Sequence, residues 1–250
     1  MAIFETESLI LKTYPLAEAD KIVVFLTQTN GLVRGVAKGA KRLKSRFGGG
    51  LEPFSIVNAT FYQKEERELV SISQIELQKS FFESASNPLF LQKFAYLAEL
   101  LSEFVPPHEP NERIYRMTRI CLETAAEHPE FLENVALYFE IWLLRLGGYL
   151  PSWERCDNCK RQFGASEKAS LQINFHLLCE NCQPVKNRNI IGADLRKIYS
   201  VAQTLSPVRF AALTEGKIEE IKEVSDILKR LITHILGKEL KNDKILVAGL

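Results

Sequence analysis

The stretch KIVVFLTQTNGLVRGVAK, residues 21–38, decides the fold: two runs rich in Ile, Val, Leu and Phe flank Asn30-Gly31. An Asn-Gly pair between such runs is the strongest short-range signal of a tight antiparallel hairpin, because both residues tolerate the positive φ that the turn demands. Working outward, segments 3–12, 54–62 and 68–77 have the same apolar, β-branched character and are bounded by turn residues. Between the last two, Glu65 and Glu66 precede Arg67 and Glu68 in what reads as a solvated hairpin tip. Five short strands in the first eighty residues predict a small closed barrel. The OB-fold is the five-stranded barrel that suits this length, with an SH3-like barrel as the competing architecture.

After residue 80 the period changes. Phe90, Phe94, Leu97, Leu101 and Phe104 fall at helical spacing, opened by Asn87-Pro88 and closed by Pro106-Pro107. A second helix is expected over about 110–127. A third begins near Pro129, carries Leu132, Val135, Phe139, Leu143 and Leu146 on one side, and ends at Gly147-Gly148. Asp194 to Leu205 reads as helical, Ser206-Pro207 opens a short helix, and Ile218 to Leu236 is a long amphipathic one.

Into this helical region are set Cys156-x2-Cys159 and Cys179-x2-Cys182, in a chain whose only other cysteine is Cys121. Two such pairs are the ligand set of a structural zinc site, each pair forming one knuckle. The segment from Ser170 to Phe175 reads as the strand returning between them. Four thiolates fill a tetrahedral ion, leaving no open position for an activated water. The alternative, disulfides or merely clustered thiols, suits an oxidising compartment, and Met1 to Glu5 carries no signal-peptide pattern. A cytoplasmic protein is therefore expected. The expected organisation is α+β and multidomain: an OB-fold barrel over 1–80, then a helical domain over 81–250. A four-cysteine zinc ribbon holding one ion is inserted at about 152–186.

The formal net charge of +1 hides a strong local asymmetry. From Lys21 to Leu51 stand seven basic residues and no acidic one, while 81–150 has ten acidic and five basic side chains. Arg34, Lys38, Lys41, Arg42, Lys44 and Arg46 crowd one strand end and the Gly-containing loop after it. Cations this dense repel one another unless a polyanion neutralises them, and each neutralised phosphate releases counterion. Nucleic-acid binding through these six residues is the reading that follows; a solvated basic loop is the alternative. Barrels that bind single strands also stack bases on exposed aromatics. Phe47 is the aromatic best placed for that, Tyr14 the next, although a packing role suits both.

Catalytic patterns are missing from the sequence. His108, His128, His176 and His234 form no motif, and neither a phosphate-binding GxxxxGK[ST] loop nor a GxSxG elbow occurs. A metal-dependent nuclease would need carboxylates converging on an open metal position, and no such set is readable. No apolar run approaches the ~20 residues of a membrane helix.

Several segments together resemble one family. Thr6-Glu7-Ser8-Leu9-Ile10-Leu11 and Tyr14 to Asp20 are similar to its first strand and loop. The segment from Gly31 to Arg42 is similar to its most recognisable stretch, and Leu51-Glu52-Pro53-Phe54 follows at the matching distance. Trp142 to Pro151 running into Cys156-x2-Cys159, and Leu236 to Lys241, complete the pattern, with Asn242 where a serine is expected. The chain is identified on these residues as resembling the bacterial RecO family. That resemblance implies a non-enzymatic role in the RecF recombination pathway, associated with the nucleoid. Such proteins bind single- and double-stranded DNA, anneal complementary strands, and with RecR help RecA displace single-strand-binding protein. It also implies a dock for the acidic, apolar-ended tail of single-strand-binding protein. Leu228, Leu231 and Ile235 beside Lys229, Arg230 and Lys238 are the expected place for it. The alternative from another class is an RNA-binding or transcription-associated zinc-ribbon factor, whose barrel would also read ribose hydroxyls.

Overall fold

The computed structural model describes residues 2–63, 68–183 and 189–242. The tip at Glu65, Glu66 and Arg67, and the end of the expected zinc segment from Pro184, lie outside the described residues. Two compact units are present: residues 1–127 together with 240–250, and residues 128–239.

The first unit opens with the barrel strands β1 (Ala2–Leu16), β2 (Asp20–Thr27), β3 (Gly31–Ala37), β4 (Ile56–Gln63) and β5 (Val70–Lys79). They close in the order β1-β2-β3-β5-β4. The parallel β3–β5 pair, Gly35 with Val70 and Val36 with Ser71, skips β4. A meander of consecutive neighbours cannot make that pairing, so the barrel is the OB-type Greek key. β1 is long because it serves two neighbours. Its first half pairs with β4 from Ala2↔Gln63 to Leu9↔Ile56, its second half with β2, and a bulge between Ile10 and Lys12 bends it. Inward-facing Ile10, Val23, Phe25, Val33, Val57, Phe61 and Ile72 fill the barrel.

The Asn30-Gly31 turn forms as expected. Thr27 Oγ1 accepts from Asn30 N at 2.8 Å and donates to Gly31 O at 2.9 Å. Gly31 has φ +66°, and a Cβ there would stand 2.1 Å from Glu109 O, so no other residue fits without moving that backbone. The strand-to-helix change falls at residue 80, whereas the compact unit runs on to residue 127. It takes in the short α1 (Phe82–Ala85), α2 (Pro88–Phe104) and α3 (Glu112–Glu127). Asn87 caps α2, accepting from Leu89 N at 2.9 Å, with Pro88 at the first position.

The second unit holds a 3-10 turn (Pro129–Phe131), α4 (Leu132–Leu146), α5 (Ala193–Ala202), α6 (Pro207–Leu213) and α7 (Ile218–Leu236). Asn134 Nδ2 donates to Thr214 Oγ1 at 2.8 Å, and Trp142 Nε1 donates to Ala202 O at 2.8 Å, fixing α4 against α5 and α6. Between α4 and α5 lies a small sheet, β7-β6-β8, of β6 (Ala169–Leu171), β7 (Leu177–Leu178) and β8 (Ile190–Ile191). The expected strand over 170–175 is corrected here. Ser170 and Leu171 belong to β6, the outgoing strand; Gln172 N donates to His176 O at 2.9 Å and Phe175 has φ +63°, so 172–176 is the turn and the return is at 177–178. Among the described residues no helix is long and apolar enough to cross a membrane.

Candidate nucleic-acid interface and metal centre

The segment 38–55 between β3 and β4 has turns and no helix, yet it is anchored at both ends. At its start, Asp20 Oδ1 accepts from Gly39 N at 2.8 Å, Lys41 N donates to Ala19 O at 2.9 Å, and Lys41 Nζ reaches Ala17 O at 3.0 Å. Further on, Phe47 and Leu51 turn inward and join the barrel core. Phe47 is only 2% exposed, so of its two expected roles the packing one holds. The apolar side chain closes the barrel mouth, and Arg46 lies over its ring at 4.9 Å. Tyr14, 48% exposed on β1, is the aromatic left open.

Arg34, Lys38, Lys41, Arg42, Lys44 and Arg46 are all exposed. Arg34 and Lys38 share the outer face of β3 and its extension, as the period of two requires. Among the described residues none of the six forms an ion pair. Among the described residues the one carboxylate bonded to this loop, Asp20, is committed to a backbone N–H. The loop therefore presents uncompensated positive charge from a fixed backbone. One residue the sequence left unremarked stands in its midst: Leu43, 102% exposed between Arg42 and Lys44. Its only sequence signal is an apolar residue with no periodic partner.

In the second unit Cys156, Cys159, Cys179 and Cys182 bring their Sγ atoms within 4.8 Å of one another, and none is in a disulfide. Sulfurs ~2.3 Å from a tetrahedral ion lie ~3.8 Å apart. Cys159 Sγ and Cys179 Sγ are 3.8 Å apart, so the donors fit a thiolate-preferring metal. The knuckles are backbone-made: Lys160 N donates to Cys156 O at 2.9 Å, and Cys182 N to Cys179 O at 3.0 Å. Burial works against ionising Cys156, but the N–H groups of Cys179, Cys159 and Asn158 outweigh it and hold that thiol at about 6. His176 takes no part in the cluster; its Nδ1 stands 3.6 Å from Asp157.

Around the cluster, Arg161 pairs with both oxygens of Glu167, which holds that carboxyl down at about 2. Arg196 donates to Gly164 O at 3.0 Å and to Glu167 O at 2.6 Å, tying this loop to α5. Buried Trp153 stacks on Tyr199 at 4.2 Å and donates to Phe175 O at 3.0 Å.

Of the residues expected to form the tail dock on α7, two lie in the core. Leu228 is fully buried and Leu231 nearly so, facing the interior of the second unit, because they belong to the apolar stripe with Ile221 and Val224. Ile235 and Lys229 are half-buried, and Arg230 and Lys238 are exposed. Of the three apolar residues named for the dock, only Ile235 is partly open beside these cations.

The comparisons with known proteins cover both units. The model of the recombination protein O N terminus matches residues 1–81, and that of its C terminus matches residues 94–244. The DNA repair protein RecO of Koribacter versatilis is 26% identical over 249 residues, 98% of this chain and 97% of that relative. Its counterpart in Syntrophobacter fumaroxidans is 29% identical over 248 residues, 96% of each chain. The protein of the same name in Geobacter metallireducens is 30% identical over 177 residues, 71% of each.

Proposed function

Since the chain belongs to the recombination protein O family, and its work lies in DNA repair and recombination, we propose that it is a non-enzymatic mediator that binds and anneals DNA strands. The observation that carries this reading is the anchored loop of the barrel with the strand before it, which together present six exposed cations with, among the described residues, no ion pair to any of them. Such a surface neutralises phosphates without reading bases, which suits single- and double-stranded DNA alike. Cations that screen two backbones at once lower the repulsion that keeps complementary strands apart. Annealing then needs no catalytic group.

The partners follow from the family. With RecR the protein would help RecA displace single-strand-binding protein, and the acidic tail of that protein would dock after residue 80, away from the buried Leu228 and Leu231. The four cysteines would hold one zinc ion. Thiolates supply all four ligands, so the ion would fix the two knuckles and leave no position for chemistry.

The test is the annealing of complementary strands coated with single-strand-binding protein. Wild-type protein should accelerate it, and an Arg42→Ala/Lys44→Ala variant should lose most of the acceleration. No acceleration by wild-type protein would overturn the proposal.

A further inference from the structure

Leu43 is as exposed as a leucine can be, at the tip of a loop whose backbone is held by hydrogen bonds and by the Phe47 and Leu51 side chains. An exposed leucine is ordinary on a protein surface. This one differs in its neighbours: Arg42 and Lys44 on either side are exposed and, among the described residues, unpaired, in a window of thirty residues without an acid. Charges that grip phosphates bring the bases between those phosphates against whatever lies between the charges. An apolar side chain there meets a base face, a surface that water solvates poorly and that every base possesses. Apolar side chains that enter between base steps unstack them.

We propose that Leu43 is a base-contacting wedge that packs on the face of an unstacked base of single-stranded DNA, while Arg42 and Lys44 hold the flanking phosphates. This rests on the phosphate-binding reading of the loop and adds to it a preference. The patch alone grips any polyanion, whereas the wedge favours strands whose bases are free to splay, the state that precedes pairing with a complement. Because every base has such a face, the preference is for unpaired bases and not for a sequence.

The test uses the full chain and two oligonucleotides of equal length, one of thymidines and one of abasic sites, which present the same phosphates with and without bases. Wild-type protein should bind the thymidine strand about five- to tenfold more tightly, the low end of what a base contact contributes. Leu43→Ser should erase that preference while leaving affinity for the abasic strand, and the salt slope, unchanged. Leu43→Phe, with a larger apolar face, should widen it. Arg42→Ala/Lys44→Ala should weaken binding to both strands. A preference that survives in Leu43→Ser overturns the wedge alone, and so does wild-type protein that binds both strands equally. Unchanged binding of both strands by Arg42→Ala/Lys44→Ala overturns the phosphate-binding reading and the wedge with it.

Discussion

The Tyr115 hydroxyl donates to Glu7 Oε1 at 2.9 Å, joining α3 to the first barrel strand across more than a hundred residues of sequence. The same oxygen receives Arg119 Nη1 at 2.6 Å. Tyr115 is buried, and burial followed by the neighbouring carboxylate pushes its phenol far above the ordinary value, so it acts as a neutral donor. Helix α3 is thus bonded to the barrel within the first compact unit, which runs to residue 127.

That bond can be weighed. Tyr115→Phe keeps the ring and should cost about 1 kcal/mol of unfolding free energy. Glu7→Ala leaves the buried hydroxyl without its acceptor and removes one of the two carboxylates that Arg119 pairs with, Glu123 remaining, and should cost about 2–3 kcal/mol. Urea unfolding of the full chain measures both. Equal losses would mean that the hydroxyl finds another partner when Glu7 is gone.

Where structure was set locally, the sequence was readable. Asn87-Pro88 opens α2 and Asn30-Gly31 turns β2 into β3 because cap and turn chemistry act within a few residues. The four cysteines announced their cluster by spacing alone. What could not be read depends on distant partners. Phe47 sits in a loop of glycines and cations, and only the open barrel mouth draws it inward. Leu228 and Leu231 carry the same letters in a core stripe as in a docking groove, and the fold decides between them.

The metal centre should hold one zinc per chain, found by metal analysis of protein purified without chelator. Cys159→Ser removes one ligand and should lower the metal content and the thermal midpoint together, since binding free energy at such a site is folding free energy. Protein free of metal, with its thiols oxidised in pairs, would refute the assignment.

Salt dependence tests the loop. The slope of log affinity on log salt for single strands should become shallower by about 1.4 in Arg42→Ala/Lys44→Ala, ~0.7 for each lost phosphate contact. Weakening should be the same for every sequence tried, because these contacts carry no base information. An unchanged slope would place the DNA elsewhere on the protein.

Glu99 offers a test by acid. Its carboxylate accepts from Lys241 N at 3.0 Å and from Asn242 N at 2.9 Å, and Asn242 Nδ2 adds a third bond at 2.7 Å. Burial alone would raise its pKa, but those N–H groups, with Lys12 nearby, bring it below its ordinary 4.5. A carboxyl lowered on folding stabilises fully above 4.5, and that stabilisation is lost as pH falls through the lower folded value. Wild-type stability should therefore fall below pH 4.5 more steeply than that of Glu99→Gln, while above it the variant should be weaker by a constant amount. The first site to open should be Lys241 and Asn242, because Glu99 accepts from both of their backbone N–H groups. Limited proteolysis at pH 7 should accordingly cut Glu99→Gln near residue 241 sooner than wild type. Equal cutting rates would show that Leu240, buried just before, holds the segment without the carboxylate.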